Sequence, residues 1–174
     1  MTMRRVVIPM DGTEFSNRVL PFVQSFLDPA QTELVLLQVL TREPSGVSAM
    51  AEPLRVATSF DARSNREVDD HWLSRRFIYA SQEWDSAVAN AKATLGPVLT
   101  ELKAAGFQAK IDVQFSHHVA DAIVGYVSAQ SADMVAMTTH GRRGISRMMK
   151  GSVAEEVMRH VSVPVIMMHP EVMA

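Results

Sequence analysis

Asp133-Met-Val-Ala-Met137-Thr-Thr-His-Gly141-Arg-Arg-Gly144-Ile-Ser-Arg-Met-Met-Lys-Gly151-Ser-Val153 joins an apolar run of strand length to a glycine-bearing loop and the start of a helix-like run. Three of the chain's eight glycines fall within the eleven positions from 141 to 151. Glycine lets backbone N–H groups approach an anion with no side chain between, and the free N–H groups opening a helix favour negative charge. The stretch therefore reads as a βα junction able to take a phosphate, with a plain tight turn as the competing reading. Ser152 stands at the start of the helix, where it caps the helix, offers its hydroxyl to a phosphate, or does both. Arg142, Arg143, Arg147 and Lys150 place four positive charges in nine positions. They suit a polyphosphate and equally a solvated surface.

The same alternation extends in both directions. Downstream, Ser152 to His160 reads as a helix with Val153, Val157 and Val161 inward, and Pro164 to Met168 as a closing strand. Upstream, Val6 to Met10 is a short buried strand ended by the Asp11-Gly-Thr turn. Val19, Leu20, Val23, Phe26 and Leu27 recur at helical spacing, with Pro21 implying an early helical position or a mild kink and Asp28-Pro29 closing the helix. Leu34 to Leu40 is an almost unbroken apolar strand, buried on both faces.

The pattern fails from Thr41 to about Asp85. A βα connection normally takes about 2 to 6 residues, so this stretch is an insertion within a single domain spanning 1–174. It carries both tryptophans, and Trp72, Phe77, Tyr79 and Trp84 imply that part of it packs. Trp84, Val88, Ala91, Leu95, Leu99 and Leu102 trace a second helix through Gly96-Pro97, ended by Gly106. Lys110 to Phe115 alternates as a half-buried edge strand, and Ala120 to Ala129 is a third helix. Five strands alternating with four helices predict a doubly wound α/β fold: a five-stranded, mostly parallel sheet with helices on both faces.

Composition removes several function classes. With 174 residues and a net charge of −2, the chain has no general attraction for nucleic acid or an anionic membrane. No run reaches the roughly 18 apolar residues of a membrane span, and a cytoplasmic location is expected. The absence of cysteine excludes disulfides, thiolate metal sites and cysteine nucleophiles. Eight of the twelve methionines lie between Met134 and Met173, as expected of core or interface packing. His140 lacks the neighbours of a catalytic triad, and His117-His118 lacks the further ligands of a metal site.

In an open parallel sheet, ligands collect beyond the carboxyl ends of the strands where strand order reverses. Asp11 after the first strand, Val39 ending the second, and the loop after the fourth should face one such crevice. The loop contains neither a G-x-x-x-x-G-K-[ST] nor a G-x-G-x-x-G signature, so the common nucleotide fingerprints are absent. Asp11 reads equally as a turn former and as a group that holds Mg2+ through water or hydrogen-bonds a nucleotide.

Val7-Ile-Pro-Met-Asp-Gly-Thr-Glu-Phe-Ser16, Leu36-Leu-Gln-Val39, Met137-Thr-Thr-His-Gly-Arg-Arg-Gly144, Gly151-Ser-Val153 and Pro164-Val-Ile-Met167 together resemble the universal stress protein family in order and spacing. That family's ATP-binding pattern is G-x-x-G, nine residues, then G-[ST]; this chain has Thr138-x-x-Gly141, nine residues, then Gly151-Ser152. Thr138 departs from the pattern's first glycine and adds a side chain beside the expected ribose. The resemblance implies a Rossmann-like sheet of the adenine-nucleotide alpha hydrolase type and ATP, with Mg2+, as cofactor. It implies a backbone contact to adenine from Val39, ribose or phosphate contacts around Pro9, Asp11, Met137 and Thr138, and phosphate contacts at Gly141, Gly151, Ser152 and Val153. Met10, Arg142 and Gly144 lie beside these and complete the cofactor-binding set. It further implies a regulatory stress-response protein that signals through nucleotide occupancy to a protein partner, with at most slow hydrolysis and no assigned catalytic residue. A homodimer through the strand 164–168 is implied as well. Two other readings stand beside it: a nucleotide-free homodimeric interaction module, and an adenylating or phosphoryl-transfer enzyme using the insertion as substrate site.

Overall fold

Val6, Val7 and Ile8 have no polar residue among them, and all three are buried in β1 (Arg4–Pro9), the middle strand of the sheet. The computed structural model describes residues 3–41, 70–139 and 153–169, the stretch 70–83 by its backbone alone. The sheet lies in a compact unit made of Met1–Thr41 and Ala91–Ala174, and Arg42–Asn90 form a second unit.

After β1 the chain forms α1 (Glu14–Asn17), α2 (Leu20–Phe26), a 3-10 turn (Pro29–Gln31), β2 (Thr32–Leu40) and α3 (Asp70–Ala104). Then come β3 (Gln108–Phe115), α4 (Val119–Ala129), β4 (Met134–Thr138), α5 (Val153–His160) and β5 (Val165–Met168). The strand order is β3-β2-β1-β4-β5, and all four pairings are parallel. Strands progress one way from β1 to β3 and the other way from β1 to β5, which makes the sheet doubly wound.

Strand alternation sends successive side chains to opposite faces. On one face Val6, Ile8, Leu34 and Leu36 pack with Val19, Leu20 and Val23 at α2 and Leu95, Val98 and Leu102 of α3. On the other, Val7, Val35, Leu37 and Val135 pack with Ile123, Tyr126 and Val127 of α4 and Ala154 and Val157 of α5. The helices therefore cover both faces, and the expected α/β architecture is the one observed.

Some local expectations are corrected. The first helical pattern is two helices parted at Arg18-Val19, because α2 begins at Leu20 with Pro21 in its first turn, where a missing N–H has no consequence. Phe26 does not turn inward; it is 68% exposed and leans on Phe22, with ring centroids 4.2 Å apart. The second helix begins at Asp70, well before Trp84, and runs through Pro97, so the final third of the region read as insertion is helical backbone. The earlier part of that region, and the packing of Trp72, Phe77 and Tyr79, lie outside what is described. Gly106 ends the helix as expected, at φ +91°, and β3 is an edge strand. No helix among the described residues is long and apolar enough to cross a membrane.

A polar network lines the α4 face near the amino ends of the strands. Glu33 accepts from Arg5 Nε at 2.8 Å and pairs with Lys110 Nζ at 3.1 Å, while Arg5 Nη1 donates to the Gln130 carbonyl at 2.6 Å. Tyr126 donates its hydroxyl to Asp112 Oδ2 at 2.7 Å, and burial first, then this bond, raises the phenol pKa. The hydrogen bond from Arg5 lowers the Glu33 pKa, burial opposes it, and Lys110 adds to the lowering. A carboxylate with a depressed folded pKa contributes stability that is present above its unfolded value and lost as pH falls through the folded one. Glu33→Gln should therefore lower stability near neutral pH by at most about 1 kcal/mol, since the pair is partly solvated. Urea denaturation of both proteins across pH should show the difference shrinking to nothing below the ordinary glutamate range; a difference independent of pH would contradict this assignment.

Candidate functional site

β1 and β2 stay in register from Arg4↔Thr32 to Pro9↔Leu37, and the Met10 N–H extends the pairing to the Leu37 carbonyl at 2.8 Å. β1 and β4 pair only at Val6↔Met134 and Val7↔Val135. β4 instead follows β5, through Thr138↔Met168 and a bond from the Thr139 N–H to the Met168 carbonyl at 3.0 Å. The recorded β1–β4 pairing thus ends at Val7↔Val135, and strand order reverses at the carboxyl ends of these two strands, where an open parallel sheet takes its ligands. α1 lies against β4.

Alternation decides which candidate side chains share a face. Met137 is buried and Val39 half-buried in the cluster on the α4–α5 face, and Pro9 follows Val7 onto that face. Met10 is buried on the α2–α3 face with Val6 and Ile8. Thr138 follows Ala136 onto that same α2–α3 face, opposite to Met137. Val153 opens α5 and is 38% exposed, while Ala154 and Val157 anchor the helix inward. Gly141, Arg142, Gly144, Gly151 and Ser152 lie outside the described residues.

The Asp11 turn is built locally. Asp11 Oδ1 accepts from the Thr13 N–H at 2.9 Å and the Thr13 hydroxyl at 2.6 Å, an Asx turn that fixes the carboxylate. Thr13 in turn caps α1 by accepting from the Ser16 N–H. Partial burial pushes the Asp11 pKa up, but hydrogen bonds from Thr13 and Ser16 outweigh it and leave the pKa lowered. The group is an anion at neutral pH. Gly12 between them sits at φ +78°, and a Cβ there would stand 3.1 Å from Thr94 Cγ2 and 3.6 Å from Gln38 Nε2.

Not every residue at this turn was legible in the sequence. Thr13 was legible in the D-x-T spacing, whereas Gln38 and Thr94 come from β2 and α3 and have no local signature. Glu155 and Glu156 were also passed over; they place two acids in the first turn of α5, which supports the helix dipole but opposes an anion close by. His118 is the N-cap position of α4 without a side-chain cap, and no metal-binding cluster of His, Asp and Glu occurs among the described residues. A surface depression lined by Arg4, Val6, Leu27, Thr32, Asp133 and Met134 sits at the opposite, amino end of the strands.

Strand order and helix placement define a doubly wound α/β domain, a fold that takes its ligands at the carboxyl ends of the strands. The chain belongs to the universal stress protein family, whose profile matches residues 2–169. It is 33% identical over 76 residues to universal stress protein Slr1230 of Synechocystis sp., an alignment covering 44% of this chain and 26% of that relative. The aligned stretch spans about a quarter of the length of that relative. Among solved structures, it is similar to protein MJ0577, with a TM-score of 0.64 at 20% identity over 97% of both chains. It is also similar to the universal stress protein family protein At3g01520 of Arabidopsis thaliana with AMP bound, with a TM-score of 0.58 at 13% identity over 95% of this chain and 91% of that one. At these identities the structural likeness establishes the fold.

Gly12→Ala should destabilise the domain by about 1–2 kcal/mol through the left-handed backbone alone. The close approach to Thr94 adds to this. In chemical denaturation, Thr94→Ser, which removes Cγ2 and keeps the hydroxyl, should recover the steric part in the Gly12→Ala background and none of the backbone part. Full recovery would show that the positive φ carries no weight.

Proposed function

We propose that this protein binds an adenine nucleotide in the crevice between β1 and β4 and signals through its occupancy. The observation that carries the reading is the early end of the β1–β4 ladder, with Pro9, Val39 and Met137 on one face beside it and an oriented, ionised Asp11 at its lip. The apolar residues offer surface to a base or sugar, and the backbone of Val39 can read the edge of adenine. Asp11 accepts from a ribose hydroxyl. The N–H groups around Gly141, Gly144, Gly151, Ser152 and Val153 suit phosphates, with Arg142 beside them. Both family membership and the AMP bound to the Arabidopsis relative support the choice of an adenine nucleotide.

ATP is the proposed cofactor, with Mg2+ reaching the protein through water at Asp11, whose Oδ1 is already engaged by Thr13. No residue is assigned to orient an attacking water, and Glu155 and Glu156 oppose added negative charge at α5, so turnover should be slow at most. The protein so read is a cytoplasmic regulatory module with a protein partner, and residues 41–85 are an insertion in a single domain. Its dimer forms through β5, an edge strand whose Val165, Ile166 and Met167 are only half-buried. Thr138, on the face opposite Met137, favours this over the reading in which it blocks the site and leaves a nucleotide-free interaction module.

Calorimetric titration with ATP and with AMP, with and without Mg2+, tests the assignment. The natural chain should bind, and Gly151→Ala should weaken ATP about tenfold, equivalent to about 1.4 kcal/mol, by placing a methyl group on the phosphate path. Unchanged affinity would remove the phosphates from that loop. Thr138→Gly should leave affinity unaltered, and binding only after that substitution would establish the blocked site instead. Light scattering after size exclusion should give twice the 19.2 kDa chain mass at micromolar concentration; a monomer throughout would dismiss the β5 dimer.

A further inference from the structure

Gln38 interrupts an apolar row. β2 sends Leu34 and Leu36 to the α2–α3 face, and Gln38 is the next residue on that face. It is only 9% exposed, and its Oε1 has no hydrogen-bond partner among the described residues. A buried acceptor without a donor is a standing penalty that an apolar side chain of similar volume would avoid. Its Nε2 lies 3.6 Å from the point where a Gly12 side chain would begin, so the amide sits directly behind the Asp11-Gly12-Thr13 turn. The following residue, Val39, faces the other side of the sheet.

We propose that Gln38 is a positioning residue of the nucleotide site, an inference that rests on the site proposed above. Its amide props the Asp11 turn from behind, and its free Oε1 is an acceptor held for the Gly12 N–H when Asp11 engages a nucleoside. A half-turn of the amide exchanges Nε2 and Oε1 and brings the acceptor beside the turn. One residue then links both ends of a bound nucleoside: Asp11 through the turn, and adenine through the adjoining Val39 backbone. Gln38 touches no ligand in this arrangement.

Stability and affinity should move in opposite directions when the amide is removed. Gln38→Met and Gln38→Leu, measured by thermal unfolding without ligand and by calorimetry with AMP, should raise Tm by about 2–4 °C. The same variants should weaken AMP about fivefold. A purely structural amide would lower Tm and affinity together in both variants, and that result overturns the inference. So does a rise in Tm with unchanged affinity, which would make Gln38 an idle buried polar group. A natural chain that binds neither AMP nor ATP refutes the nucleotide site itself, and this inference with it; a natural chain that binds either no better than Gln38→Met does refutes the inference alone.

Discussion

The structure depends on how far β1 can be shared. A central strand in a doubly wound sheet is hydrogen-bonded on both edges and buried on both faces, and Val6, Val7 and Ile8 meet that demand with side chains that leave no polar atom unpaired. The sharing stops on one edge after Val7, because β4 follows β5 while β1 continues along β2 to Met10. The chain leaves β1 and β4 toward helices on opposite faces, α2 on one side and α5 on the other, which is what makes this the switch point of the sheet. Strand order alone marks this as the end of the sheet where a ligand would be expected, and side chains determine what could be accepted there.

What stands at that opening is set by short-range chemistry. A left-handed residue is needed directly after Asp11, and Gly12 supplies it where α3 also approaches the backbone through Thr94. The Thr13 hydroxyl then serves two neighbours, donating to Asp11 and accepting from the Ser16 N–H, so that the same residue orients an anion and starts a helix. The net effect on Asp11 is retained charge despite partial burial. A carboxylate held this way has one oxygen committed, which limits direct metal coordination and favours contacts through water or a hydroxyl donor.

The sheet was legible because parallel strands buried on both faces read as unbroken apolar runs, and Val6 to Ile8 and Leu34 to Leu37 have no other easy interpretation. The edge position of β3 was legible for the opposite reason, since Lys110 and Asp112 alternate with Ile111 and Val113. The early start of α3 was hidden by the charges from Arg63 to Arg76, which outweighed any apolar stripe before Trp84. Phe26 deceived because spacing marks a helix face without saying whether anything covers its last turn; α2 ends there, and Phe26 leans on Phe22 of its own helix. The places of Asp11 and Val39 at strand ends were readable from the apolar runs before them. Gln38 and Thr94 were not, because a contact between β2, α3 and a turn some distance away in sequence leaves no local pattern.

Thr138 illustrates what geometry adds to a motif. In a linear pattern it occupies a glycine position, and a side chain there reads as an obstacle beside a ribose. In the strand it is one step past Met137, and period-two alternation sends the two side chains to opposite faces. Met137 joins the Val39 side, whereas Thr138 joins the side of Ala136, where α1 lies against β4. In the proposed site, a ligand built over Pro9, Val39 and Met137 would meet the Thr138 backbone and not its branched carbon. On that proposal the departure from the family pattern changes what fills the α1 side of β4, and the face offered to a nucleoside keeps its shape.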